Sequence, residues 1–127
     1  MRIEHVAVWT PDLERLVAFY VRYFATTAGP KYTNPRTGFE SYFLSFESGA
    51  RLEVMRSPAV MPGEPGQPRF GYAHLAFSAG SEAEVDRMTE RFRGDGVPVV
   101  DGPRRTGDGY YESVILDPDG NRIEITV

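Results

Sequence analysis

The chain has 127 residues, with 41% hydrophobic, 25% charged and 13% aromatic residues, enough to bury the core of one ordinary domain and too apolar for a disordered chain. A net charge of −4 and a pI of about 5.2 argue against a nucleic-acid partner, which is usually met by a basic face. With no Cys, disulfide scaffolds, thiolate zinc sites and Cys nucleophiles are excluded. No apolar run approaches the roughly 20 residues of a membrane helix, and Met1-Arg2-Ile3-Glu4-His5 offers no apolar signal core, so a cytoplasmic protein without a membrane partner is expected.

In chain order, residues 2–9 alternate as a short strand. Thr10-Pro11 then offers an N-cap and a first-turn proline for a helix whose apolar stripe is Leu13, Leu16, Val17, Tyr20 and Phe24. Strands are expected near 26–32, 39–46 and 51–55, with Ser48-Gly49 as a hairpin turn. Residues 57–71 are a Pro-rich linker, because proline withholds a backbone donor and resists regular structure. The same order then returns. A strand is expected over 72–78 and a helix opens on Ser81-Glu82-Ala83-Glu84, a capping box; its stripe is Val85, Met88 and Phe92, and Gly94 or Gly96 ends it. Strands near 97–100, 110–116 and 122–127 follow, the last two joined by Asp117-Pro118-Asp119-Gly120-Asn121.

The order strand–helix–strand–strand–strand occurs twice, and the residues repeat with it. The only two His, His5 and His74, stand 69 residues apart, each opening a similar string, His5-Val6-Ala7-Val8 and His74-Leu75-Ala76-Phe77. Phe39-Glu40-Ser41 answers Tyr111-Glu112-Ser113 at an offset of 72, and Arg51-Leu52-Glu53-Val54 answers Arg122-Ile123-Glu124-Ile125 at 71. The chain therefore reads as one domain over 1–127 made of two modules, about 1–56 and 72–127, of α+β class with helices on one face of each sheet.

Strand alternation sets His5, Ala7 and Trp9 on one face against Val6 and Val8, Glu53 against Leu52 and Val54, and Glu124 against Ile123 and Ile125. Each module thus has an apolar face for its helix and a second face with one His and one Glu. Glu is a poor strand residue, and a buried carboxylate without a cation is costly. Two imidazoles and two carboxylates suit one divalent ion, Zn, Ni, Co, Mn or Fe(II), with positions left for substrate. Arg51 and Arg122 each stand two residues before a Glu on the same face, so a salt-bridge reading stands beside the ligand reading. In the third strand of each module, Glu40, Tyr42 and Leu44 are matched with Glu112, Val114 and Leu116, making Tyr42 and Glu112 pocket candidates together with Trp9. Arg104-Arg105-Thr106-Gly107-Asp108-Gly109 is read as a solvated turn, since it lacks the sequence of a phosphate loop.

These strings, above all Leu116-Asp117-Pro118-Asp119-Gly120-Asn121-Arg122-Ile123-Glu124, resemble the vicinal oxygen chelate superfamily, the glyoxalase, bleomycin-resistance and extradiol-dioxygenase group, over essentially the whole chain. The resemblance implies paired βαβββ modules whose mixed sheets curl into a metal-lined cup with the helices outside. It implies His5, Glu53, His74 and Glu124 as metal ligands, Glu124 or Glu53 as the proton-shuttling base with Glu124 preferred, and a homodimer. It also implies a small substrate chelated through two adjacent oxygens and lyase or isomerase chemistry of glyoxalase type. Where glyoxalase I carries an arginine four residues after the first His, this chain has Trp9; where it carries an asparagine four residues after the first Glu, it has Ser57. A glutathione-dependent glyoxalase is therefore not expected. The alternatives are a protein that sequesters an antibiotic-type small molecule and an Fe(II) dioxygenase.

Overall fold

A computed structural model describes residues 1–63 and 70–127 and gives two compact units, Met1–Gly63 and Glu64–Val127. The first contains β1 (His5–Trp9), α1 (Leu13–Tyr23), β2 (Thr27–Ala28), β3 (Tyr32–Thr33), β4 (Glu40–Ser45) and β5 (Arg51–Arg56). The second contains β6 (Leu75–Ser78), α2 (Glu82–Gly94), β7 (Val99–Arg105), β8 (Tyr111–Leu116) and β9 (Arg122–Thr126). Both sheets are mixed and have the same topology. The order is β1-β5-β4-β2 with β3 also on β4 in one, and β6-β9-β8-β7 in the other. In each, the first strand runs parallel to the last, which forms an antiparallel hairpin with its predecessor. The class is α+β, as the sequence implied.

Hydrophobic burial fixes each helix to one sheet face. In the first unit Leu13, Leu16, Val17 and Tyr20 of α1 are buried, as are Leu44, Leu52 and Val54 of the sheet. In the second, Val85 and Phe92 of α2 and Ile115, Ile123 and Ile125 are 1% exposed or less. Thr89, absent from the expected stripe, is fully buried: its hydroxyl donates to the Val85 carbonyl (2.6 Å) and meets Ser113 Oγ (2.7 Å), so a polar pair sits satisfied inside an apolar layer.

Several boundaries differ from expectation. The N-cap of α1 is Asp12, whose side chain accepts from Arg15 N (3.1 Å), rather than Thr10, so Pro11 lies before the helix. Thr10 instead extends the sheet, donating its N–H to the Met55 carbonyl. The strand expected over 26–32 is two short pairings, β2 and β3, both against β4. The Ser81 hydroxyl caps Glu84 N (3.2 Å), but the Glu84 carboxylate pairs with Arg87, so half of the capping box is made. Gly96, at φ +77°, ends α2. Its N–H reaches the Arg93 carbonyl while Val97 N–H reaches that of Phe92, the two bonds of a Schellman stop. The strand expected over 97–100 runs to Arg105 with two register shifts. Part of the expected Pro-rich linker, residues 64–69, lies outside the described residues.

Candidate metal centre

The two units build the same pair of side chains by the same device. In β1 and β5, Ala7 is in register with Glu53; in β6 and β9, Ala76 is in register with Glu124. Each Glu thus lies opposite the Ala two residues after the module's His, and the small Ala leaves the His and Glu room to meet diagonally. His74 Nε2 stands 3.2 Å from Glu124 Oε2, and His5 Nε2 stands 3.9 Å from Glu53 Oε2. Two donors held about 2.1 Å from one ion at adjacent positions lie roughly 3.0–3.4 Å apart. The His74–Glu124 pair fits that spacing as it stands, and the His5–Glu53 pair needs a small rotation. The Glu side chains are 15% and 21% exposed and the His side chains about 40%, so all four remain reachable from solvent.

The salt-bridge alternative is answered for the first unit. Arg51 donates to Glu4 Oε1 through Nε (2.8 Å) and lies over the Phe43 ring (4.1 Å). Glu4 also takes His5 Nδ1 (2.5 Å), leaving Nε2 directed at Glu53. A carboxylate on the far ring nitrogen is what orients a ligating imidazole. Alternation over the expected strand 2–9 sets Glu4 on the face away from His5; the strand in fact begins at His5, so Glu4 lies outside it and its carboxylate turns to His5. His5 first and then Arg51 hold its carboxyl below the usual range.

The third strand corrects the expected face assignment. Phe43 is in register with Glu53 and Val114 with Glu124, an offset of 71, so the similar strings matched at 72 are displaced by one residue. One residue reverses the face of every side chain. Tyr42 pairs with Val54 on the helix side, where its hydroxyl bonds the Glu14 carboxylate of α1 (3.2 Å). It therefore lies on the face opposite Glu53. Glu112 and Val114 share the face of Glu124. Glu112 is 9% exposed and its carboxylate makes no hydrogen bond or ion pair with a described residue. Burial first, and the Glu124 charge second, push its carboxyl above the usual range. Trp9 is on the His5 face and 45% exposed.

Two other features are occupied by their own pairings. A shallow depression of about 280 Å³ beside Pro11, Leu13 and Arg56 lies at the start of α1. There Lys31 bridges Glu14 and Glu40 (2.9 Å each), which together push it up to about 12. In the loop at 104–109, Arg104 bonds Asp101 (2.7 Å) and Arg105 bonds Glu82, closing a turn between β7 and β8.

Among the described residues no group of three or more His, Asp or Glu is assembled for a metal; the donors stand as two pairs. The pairs supply imidazole nitrogen and carboxylate oxygen, a set that suits borderline divalent ions. No helix among the described residues is long and apolar enough to cross a membrane.

Comparison with known proteins bears on the family and the fold. The chain is 28% identical over 129 residues to the Bacillus subtilis protein YqjT, covering 97% of this chain and 96% of the relative. It is 26% identical over 122 residues to the metallothiol transferase FosB of Lysinibacillus sphaericus, covering 96% and 79%. The solved structure of the trypanothione-dependent glyoxalase I of Leishmania major superposes with a TM-score of 0.78 at 22% identity, covering 99% of this chain and 86% of that one, a likeness of fold. A family model matches residues 2–125, and the chain belongs to the Glyoxalase/Bleomycin resistance protein/Dioxygenase superfamily.

Proposed function

We propose that the protein is a metal-dependent enzyme of glyoxalase type, with lyase or isomerase chemistry on a small substrate held through two adjacent oxygens. One observation carries the reading: the His–Glu pair is built twice, at equivalent register, with each Nε2 directed at a carboxylate. Members of the superfamily usually use a divalent metal, and they often dimerise. His5, Glu53, His74 and Glu124 are the four ligands, the two pairs completing the set of one ion whether both come from one chain or from two. A divalent cation in that set acidifies a C–H beside a bound oxygen by stabilising the negative charge that develops.

The chain's own groups do the rest. Glu4 fixes the His5 ring so that Nε2 is the free donor. Glu124 is the base: its carboxylate, in the middle of β9, takes a proton from one carbon of the bound substrate and returns it to the neighbour. Trp9 and Ser57 in place of charged and amide anchors disfavour a glutathione adduct as substrate.

The test is elemental analysis of protein purified without a His tag, beside His74→Ala. About one equivalent of a transition metal in the wild type and a small fraction of that in the variant is expected. A wild type that stays empty after incubation with Zn, Ni, Co, Mn and anaerobic Fe(II) overturns the reading and leaves small-molecule sequestration in its place. Oxygen consumption with Fe(II) loaded protein overturns the isomerase reading in favour of a dioxygenase.

A further inference from the structure

We propose that the substrate carries an aromatic ring next to its two chelating oxygens, and that Trp9, Phe39 and Tyr32 form the seat for that ring. The inference rests on the metal-chelate reading above and names the substrate class for the same site.

The register of the first sheet supplies the geometry. Trp9 of β1 is opposite Met55 of β5, Met55 is opposite Ser41 of β4, and Ser41 is opposite Tyr32 of β3. Residues directly opposite in a sheet share a face. These four therefore form one row across the sheet, on the face of His5 and Glu53. The row of Ala7, Glu53 and Phe43 lies two positions along the strands, about 7 Å away. That spacing is close to the length of a phenyl group measured from a chelated carbon.

The row has no charged member, in a chain with 25% charged residues. Phe39 fills the space between its ends, edge-on to Trp9 with ring centres 6.1 Å apart and 6.0 Å from Tyr32. Yet Trp9 is 45% exposed and Tyr32 is 54% exposed. Phe39 thus buttresses two rings that still present apolar surface to water. Edge-to-face geometry of this kind is how a third ring packs onto such a pair, and the Met55 thioether beside Trp9 makes a favourable contact with aromatic edges. At the other end of the face stand Glu53, His5 and the Glu4–Arg51 pair. One face therefore offers a polar end for oxygens and an aromatic end for a ring. Three rings are far too small a patch for a stable protein partner, which needs about 800 Å² on each side.

Trp9 is the chain's only tryptophan, so its emission reports this row directly. The full chain is loaded with Co(II), whose visible absorption reports chelation. It is then titrated with lactate and with mandelate, two α-hydroxy acids that differ in bearing a methyl or a phenyl group. The expected result is that both acids change the cobalt spectrum. Mandelate should bind at least about tenfold more tightly, a difference of about 1.4 kcal/mol, and it alone should change Trp9 emission. In Tyr32→Ala and Phe39→Leu the preference falls to less than about threefold while lactate binding is retained, which also shows the variants are folded. Equal affinity for the two acids, with the cobalt spectrum responding to both, overturns the aromatic seat and leaves the chelate reading standing. A preference for mandelate that both variants retain also overturns it. If cobalt does not load, the metal reading fails; Trp9 emission that responds to mandelate and not lactate then still supports the ring seat, and emission unmoved by either overturns it.

Discussion

Glu112 is 9% exposed, its carboxylate makes no hydrogen bond or ion pair with a described residue, and it lies on the same sheet face as Glu124. Its carboxyl is raised in the folded state from 4.5, so the folded protein binds its proton more tightly than the unfolded chain does. The penalty is absent below the unfolded value, grows as pH rises through it, and is constant above the folded value. Glu112→Gln, measured with EDTA present, should therefore raise stability at pH 7 by about 1 kcal/mol, or about 4 °C in Tm. The gain should vanish near pH 3; a gain equal at both pH values would mean that charge is not the cause. Glu4 acts in the opposite sense, as an orienting partner for His5. Glu4→Ala should weaken metal affinity about tenfold with little change in metal-free Tm, read by competition against a chromogenic chelator.

Two glycines of the second unit separate backbone strain from steric exclusion. Gly96 and Gly102 both have positive φ, at +77° and +76°. A Cβ on Gly96 meets nothing within 4 Å, whereas one on Gly102 would lie 2.5 Å from the Glu112 carbonyl oxygen and 2.9 Å from Ser113 Cα. Gly96→Ala should therefore cost about 1 kcal/mol, and Gly102→Ala about 3 kcal/mol or more. Urea unfolding of the two variants gives the comparison. Because Gly102 lies against Glu112 at the register shift of β7 on β8, loss there should also disturb the Glu112 environment. Similar costs for the two variants would place the constraint in φ alone.

For the molecule as a whole, the repeat makes a sharper demand than either pair does. One ion per four donors predicts one equivalent of metal per His–Glu quartet, and His5→Ala, Glu53→Ala, His74→Ala and Glu124→Ala should each abolish most binding. Two independent two-donor sites would bind more weakly, reach two equivalents per chain, and lose only one of them in each variant. Excess zinc at 100 times its dissociation constant should stabilise the wild type by about 2.7 kcal/mol. Each of the four variants should lose that gain in a thermal melt, and persistence of the shift in any one removes that residue from the set.

Legible in the chain alone were the α+β class and the repeated order of elements, apart from the split into β2 and β3, because both rest on local periodicity and on a repeat of similar strings; the same repeat singles out His5, Glu53, His74 and Glu124 as the proposed donors. Alternation alone was enough to set Leu52 and Val54 against Glu53, and Ile123 and Ile125 against Glu124. What it left to the tertiary structure was everything that depends on pairing between strands. The strings at 39–41 and 111–113 are alike, yet strand register aligns them one residue apart, which turned Tyr42 to α1 and left Glu112 beside Glu124. Glu4, inside the strand expected over 2–9, stands just before β1 as it forms and there reaches His5 and Arg51. Trp9, Met55, Ser41 and Tyr32 come from four strands and meet only because hydrogen-bond register places them in one row. A side-chain period of two specifies which face a residue takes within its strand, and only long-range pairing decides what stands beside it.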